Sequence, residues 1–305
     1  MVDRRTPNPR SRLSRDPFAI AWLIVIVYGV LTATLIRTAG LSVEGFSRLL
    51  VTVTVIAVLA AAYGVSGRSR KISQMAHWAL LWIVFATSSG ILTYATASLS
   101  GPLVDADLAR IDASLGLSWT QWHQFIVGAP SLRFALAVVY VTLLPQIIFS
   151  LLYFGLKGRN TRNAEFFFLA AGSLFVTIMV AWRFPSLGAA AFHGFPEDVD
   201  RLYLADLQQL RAHTLHRVSV PDLEGIIQFP SFHTTLALIF PFIHRDSPRL
   251  FWPILGLNAI LLVAIPVGGG HHFTDMIGGA AIGIAAIGLA WAIGRRTAPG
   301  AAVPA

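Results

Sequence analysis

The chain has 305 residues, of which 55% are hydrophobic and only 12% charged, proportions that exclude an ordinary soluble globular domain and make the bilayer the main solvent. It contains no cysteine, which excludes disulfides, thiolate metal sites and a cysteine nucleophile. The net charge of +8 comes from Arg and Lys in short loops between apolar runs, where they set topology rather than line a groove for nucleic acid.

Arg4, Arg5, Arg10, Arg12 and Arg15 precede the first apolar run. That run is long and lacks a small-residue cleavage pattern, so it reads as an uncleaved first helix and not as a targeting peptide. Apolar stretches of the length that crosses a bilayer, about 17 to 25 residues, predict eight spans in chain order. The first three are Phe18 to Leu35, Leu49 to Val65 and Ala76 to Leu99. The fourth and fifth are Leu132 to Leu156 and Glu165 to Phe184; the last three are Phe232 to Ile243, which is short, Leu250 to Val267, and Met276 to Gly294. The basic tail places the N-terminus in the cytoplasm, and an even number of spans returns the C-terminus there. Arg68, Arg70, Lys71, Lys157, Arg159, Arg162, Arg245, Arg249, Arg295 and Arg296 then share the cytoplasmic side. Residues 183–185, 230–233 and 268–275 share the other side.

Two outer loops carry pattern of their own. In Val104 to Val127, Leu108, Ile111 and Leu115 recur at helical spacing before Trp119 and Trp122, as in an interfacial helix with aromatic anchors. In the long connection Pro185 to Phe229, Val199, Leu202, Leu207 and Leu210 predict an amphipathic helix, either a lid over a site or a plain surface helix. Ala298 to Ala305 reads as a disordered tail. Within the spans, Gly279 and Gly283 form a small-xxx-small pattern for close helix packing, Pro145 and Gln146 predict a kink, and Asn258 can hydrogen-bond a neighbour.

Polar groups beside a bilayer are costly, so two clusters of them mark a candidate site: Pro230-Ser231-Phe232-His233 and His271-His272-Phe273-Thr274-Asp275. With a helix starting near Gly270, His271 and Asp275 fall one turn apart, so the carboxylate can hold one ring nitrogen and leave the other free as a nucleophile. Ser231 opens another helix, whose free N–H groups favour an anion. Its hydroxyl can donate to a phosphate oxygen, and His233 as imidazolium can protonate a departing oxygen. Each residue also has a structural role open to it. Ser231 and Asp275 are types favoured as helix N-caps, and either histidine can be an interfacial side chain. His272 beside His271 and Asp275 invites a metal reading, but a third converging ligand is not evident, so no metal and no cofactor is expected.

Ser-x-His followed by His-x-x-x-Asp, each opening a hydrophobic helix, resembles the second and third signatures of the type 2 phosphatidic acid phosphatase superfamily. The wording from Phe229 to Ala237 and from Gly269 to Gly279 is similar to the branch that includes inositol phosphorylceramide synthases, where the position of His272 is usually Tyr. The resemblance implies metal-independent double displacement on a lipid phosphate or phosphodiester, with His271 as nucleophile, Asp275 as its partner and His233 as acid. It covers the region from the Val104 helix to the last span.

Two departures concern the phosphate clamp. The Lys of the first signature is missing, since Val176 stands seven residues before Arg183 in Arg183-Phe184-Pro185, and the Ser-Arg expected before His271 is Ala264-Ile265. Because a phosphoryl group in transit needs cationic donors, Arg183, Arg211 and Arg217 are the candidates, each with a plain topological role as its alternative.

The expected architecture is therefore an all-α integral membrane protein of about eight transmembrane helices with a helical-bundle phosphatase or phosphotransferase core. Residues 1–100 form the cytoplasmic tail and three spans, 101–297 the interfacial helix and five-helix catalytic core, and 298–305 the tail. The expected function is phosphoryl transfer from a lipid-linked substrate at the extracytoplasmic face, in hydrolysis or transfer to an alcohol. The Arg-rich, Lys-poor composition suits a bacterial inner membrane. A lipid-translocating protein, or a lipid-binding relative without turnover, are the alternatives; a transporter would place its charges near the midplane.

Overall fold

The computed structural model describes residues 17–195 and 201–297. The basic tail before Pro17, Val199, the side chain of Leu202, the Arg295 and Arg296 side chains, and Ala298 to Ala305 lie outside the described residues. In chain order the helices are α1 (Pro17–Thr38), α2 (Phe46–Val65), α3 (Arg70–Ser98), α4 (Asp105–Ser114), α5 (Trp119–Val127), α6 (Pro130–Tyr140) and α7 (Leu143–Leu156). They continue with α8 (Asn160–Arg183), α9 (Ala189–Phe192), α10 (Arg201–Arg211), α11 (Phe232–Ile243), α12 (Pro248–Gly268) and α13 (Phe273–Thr297). Strands β1 (Ser42–Glu44) and β2 (Arg217–Ser219) pair in parallel. The chain is thus an all-α membrane protein, as the hydropathy pattern predicts.

Six helices are long and apolar enough to cross a bilayer, α1, α2, α3, α8, α12 and α13, and α6 with α7 makes a seventh if the bent pair is one span. The remaining expected span, Phe232 to Ile243, is the shorter apolar helix α11. With 12 residues, α11 is about 18 Å long at 1.5 Å per residue, short of a hydrocarbon core of about 30 Å. Most of its side chains are buried against α8, α12 and α13, so protein and not lipid surrounds it, and it need not match the bilayer. The fourth expected span is bent by 41° between α6 and α7. Pro145 explains the place, because its ring displaces the carbonyl four residues earlier, at Val141. Across the bend, the Asn258 side-chain amide on α12 donates to Gln146 Oε1 at 2.7 Å.

Side-chain bonds define the two ends of the bundle. At one end, Arg245 after α11 grips Glu165 on α8 at 2.7 Å, Arg162 pairs with Glu165 and Asp246, and Trp78 of α3 bonds Asn160. At the other, Tyr94 of α3 donates to Asp206 of α10 at 2.7 Å, and Trp182 of α8 donates to the Leu99 carbonyl at 3.1 Å. Because α8 and α11 are pinned together at the first end, the end of α8 and the start of α11 lie at the second. Helices α11 and α13 touch through Gly279: an added Cβ would sit 2.1 Å from the Ser231 carbonyl oxygen, and the Thr235 hydroxyl donates to the Gly279 carbonyl at 2.8 Å. This is the close approach that the small-residue pattern predicts.

The expected single helix in Val104 to Val127 is two helices, α4 and α5. Its buried face is also different, with Asp105, Leu108 and Asp112 buried while Ile111 and Leu115 are exposed. On α10, Leu207 and Leu210 are buried together with Tyr203 and Leu204.

Candidate active site

The site is built where α11 and α13 begin. Gly270 has a positive φ of 67°, which turns the chain away from helix, so α13 starts at Phe273 rather than near Gly270. His271 therefore sits in the loop, yet its Nδ1 still lies 3.1 Å from Asp275 Oδ2. The same oxygen accepts the His272 amide at 2.9 Å, so one carboxylate fixes both the ring and the loop that carries it. Asp275 is wholly buried and His271 is 2% exposed. The Ser231 amide donates to the Asp275 carbonyl at 2.9 Å, tying the two expected clusters together.

Ser231 is the N-cap of α11, its hydroxyl oxygen accepting from the Thr234 amide at 3.3 Å. The capping role that its residue type suggests is thus made, and its own O–H proton stays available. The His233 ring stands 6.3 Å from the His271 ring and stacks on Tyr140 at 4.7 Å. Among the described residues, His271 Nε2 makes no hydrogen bond, so the nitrogen that Asp275 does not hold is uncommitted.

His272 has a place that sequence reasoning did not find. Its Nε2 lies 3.5 Å from Asp105 and its Nδ1 3.6 Å from Asp112, ion-pair distances with the ring fully buried. Burial works against its charge, but the two carboxylates dominate and push its pKa up to about 9. Asp105 also accepts from the amides of Leu187 and Gly188 at 3.0 Å and from the Ser186 hydroxyl at 2.7 Å. Asp112 caps α13 from outside, accepting from the amides of Phe273 at 3.0 Å and Thr274 at 2.7 Å and from the Thr274 hydroxyl. Burial alone would raise both carboxyls, yet His272 and these donors outweigh it and hold them below the usual range. Two acids seven residues apart on α4 thus fasten the 186–188 loop and the 271–275 loop to one buried cation. The available signal was the Asp105/Asp112 spacing around Leu108, together with a histidine in excess of the motif. With both ring nitrogens facing carboxylates, His272 serves as a cation here. No grouping of three or more metal-ligating side chains occurs among the described residues.

The three arginines share the site's end of the bundle. Arg183 ends α8 exposed, its guanidinium 4.9 Å above the Phe184 ring and next to the loop held by Asp105. Arg211 donates to Ser100 at 2.7 Å, and Arg217 on β2 stands 4.0 Å from Glu44. None of these bonds reaches His271. Ala264 and Ile265, which replace the expected Ser-Arg, are packed into the core, where an unpaired cation would be costly. An apolar groove of about 510 Å³ opens between α5 and α12, with Trp122, Leu262, Val263 and, at the start of α13, Met276 in its lining.

Fold and site together define a multi-pass membrane protein with a buried carboxylate, a histidine oriented by it and a second histidine opposite. The family profile described as the PAP2 superfamily matches residues 106–289, more than half of the chain, so the protein belongs to the PAP2 superfamily. Members of this superfamily are generally phosphatases or phosphotransferases. No curated protein and no solved structure matched the chain.

Proposed function

We propose that the protein is a metal-independent lipid-phosphate phosphatase or phosphotransferase working through a phosphohistidine at the extracytoplasmic face. The observation that carries the reading is the His271–Asp275 contact at 3.1 Å, which commits Nδ1 and leaves Nε2 uncommitted, with the His233 ring 6.3 Å from the His271 ring. The Nε2 lone pair attacks phosphorus, the bond from phosphorus to the leaving oxygen breaks, and that oxygen takes a proton from His233. A bound phosphate beside His233 favours its charged form. In the second half, water or a lipid alcohol gives a proton to His233 and attacks phosphorus, and the P–N electron pair returns to Nε2. Asp275 fixes the tautomer and stabilises the imidazolium.

Ser231, at the positive end of α11, donates to a phosphate oxygen, and Arg183 is the arginine best placed to supply charge to it. Arg211 and Arg217 have partners of their own and serve the outer layer first. The groove at Met276 suits an acyl or prenyl chain, and the wording around both signatures, similar to the inositol phosphorylceramide synthase branch, supports a lipid phosphate or phosphodiester substrate, with water or an alcohol as the acceptor. The charge asymmetry of the loops supports the extracytoplasmic placement.

The test is phosphate release from phosphatidic acid, phosphatidylglycerol phosphate, polyprenyl diphosphate and phosphatidylinositol with EDTA present, with and without a lipid alcohol, for wild type and His271→Ala. Release or transfer that is lost in the variant is expected. Absence of turnover would contradict it and favour a lipid-binding protein, and turnover unimpaired in the variant would contradict the role of His271.

A further inference from the structure

Tyr140 stacks on His233, and its hydroxyl stands on the His271 side of the site. It ends α6 at the bend of the broken span, and its ring lies nearly parallel to His233, 4.7 Å away with 12° between the planes. Its hydroxyl reaches the nucleophile's side of the site. A carbon added to Gly269 would stand 2.6 Å from the Tyr140 hydroxyl oxygen, 2.6 Å from His271 Cδ2 and 3.1 Å from His271 Nε2, so the two groups flank one point. Gly269 is the residue that makes room for this meeting. A carbon on Gly268 would likewise meet the Tyr140 ring, at 2.7 Å, so the chain before His271 is moulded onto this one side chain.

Buried tyrosines ordinarily spend their hydroxyl on a partner, as Tyr28 does on the Ala171 carbonyl at 2.8 Å and Tyr94 on Asp206 at 2.7 Å. The Tyr140 hydroxyl makes no such bond among the described residues, and it is not one of the buried polar atoms cut off from the surface. Packing explains the ring, and it leaves the oxygen without a task. A phosphoryl group in transit provides one, because its equatorial oxygens gather charge and a preorganised donor lowers the barrier.

We propose that Tyr140 is a catalytic residue of this site, its hydroxyl donating to an equatorial oxygen of the phosphoryl group as that group moves onto and off His271 Nε2. The hydroxyl keeps its proton throughout, so the proton balance between His233 and the leaving or attacking oxygen is unchanged. The same side chain, stacked on His233, holds the acid at the distance that the transfer needs. This rests on the phosphotransfer reading of the site.

The test uses the full chain in detergent with two inorganic probes: orthovanadate, which takes the trigonal-bipyramidal geometry of the transfer, and phosphate, which does not. Affinities are measured for wild type, Tyr140→Phe and His271→Ala, with the melting temperature of each. Tyr140→Phe keeps the ring, so the melting temperature and phosphate affinity stay near wild type while vanadate affinity falls at least about tenfold, within the range for loss of one transition-state donor. Equal losses for vanadate and phosphate, or no loss for either, overturn the role of Tyr140 while wild-type vanadate binding that depends on His271 keeps the phosphotransfer reading. A wild type that does not bind vanadate, or a His271→Ala variant that binds it as well as wild type, overturns both.

Discussion

One oxygen of Asp275 serves His271 at 3.1 Å and the His272 amide at 2.9 Å, so this carboxylate sets both a tautomer and a loop. Asp275→Asn keeps the shape but can present an N–H to His271 Nδ1. Turnover should fall about 10³–10⁴-fold with little change in KM, as expected for an orienting carboxylate; a large rise in KM at constant kcat would instead make Asp275 a binding group. His272 acts on stability. Its pKa is raised from the ordinary 6.5 to about 9, so its contribution is complete below about pH 6.5 and is lost as the pH rises through about 9. The size is on the order of 3 kcal/mol. The melting temperature in detergent should therefore drop between pH 7 and pH 10 in wild type and much less in His272→Gln. Equal drops in both would show that the Asp105–His272–Asp112 group is not the source. This group was not legible as such in the sequence, because apolar periodicity shows which residues leave water and is silent on buried ions. Tyr140 escaped for a similar reason, standing 131 residues from His271 at the end of an apolar helix.

At the scale of elements, α11 and α13 carry the chemistry, and the glycine face of α13 sets their separation. Gly279→Ala would drive a methyl group into the Ser231 backbone, 2.1 Å away, where no side chain can yield. Gly283→Ala meets the end of Leu238 and the Thr235 carbonyl at 3.3 Å and can be absorbed by small shifts. Folded yield from membranes should be lost or nearly lost in the first and little changed in the second, and the opposite order would contradict this packing. The helices themselves were legible from runs of apolar residues, including the bend near Pro145 and the glycine contact. The short α11 stands apart from the other spans, because a helix lined by protein escapes the length rule that lipid imposes. In α4 the expected stripe of Leu108, Ile111 and Leu115 gave way to Asp105, Leu108 and Asp112, since fastening two loops outweighed the interfacial fit of Ile111 and Leu115.

Across the whole molecule, the 183–188, 231–233 and 271–275 segments gather at one end of the bundle and the Arg162–Glu165–Arg245 group closes the other. A chain with no cysteine lends itself to a test of which end faces out. Ser219→Cys, on β2 at the site's end, should react with an impermeant maleimide added to intact cells, and Gly67→Cys, between α2 and α3, only after lysis. The reverse pattern would place the site in the cytoplasm. The central claim is that phosphorus becomes bonded to His271. Its most direct measurement is brief reaction of the purified chain with a ³²P-labelled lipid phosphate, followed by quenching and site mapping. The account predicts an acid-labile, alkali-stable label on His271 that is absent from His271→Ala and persists longer in His233→Ala. Turnover by a wild type that never carries label on His271, or the same label in His271→Ala, would contradict it.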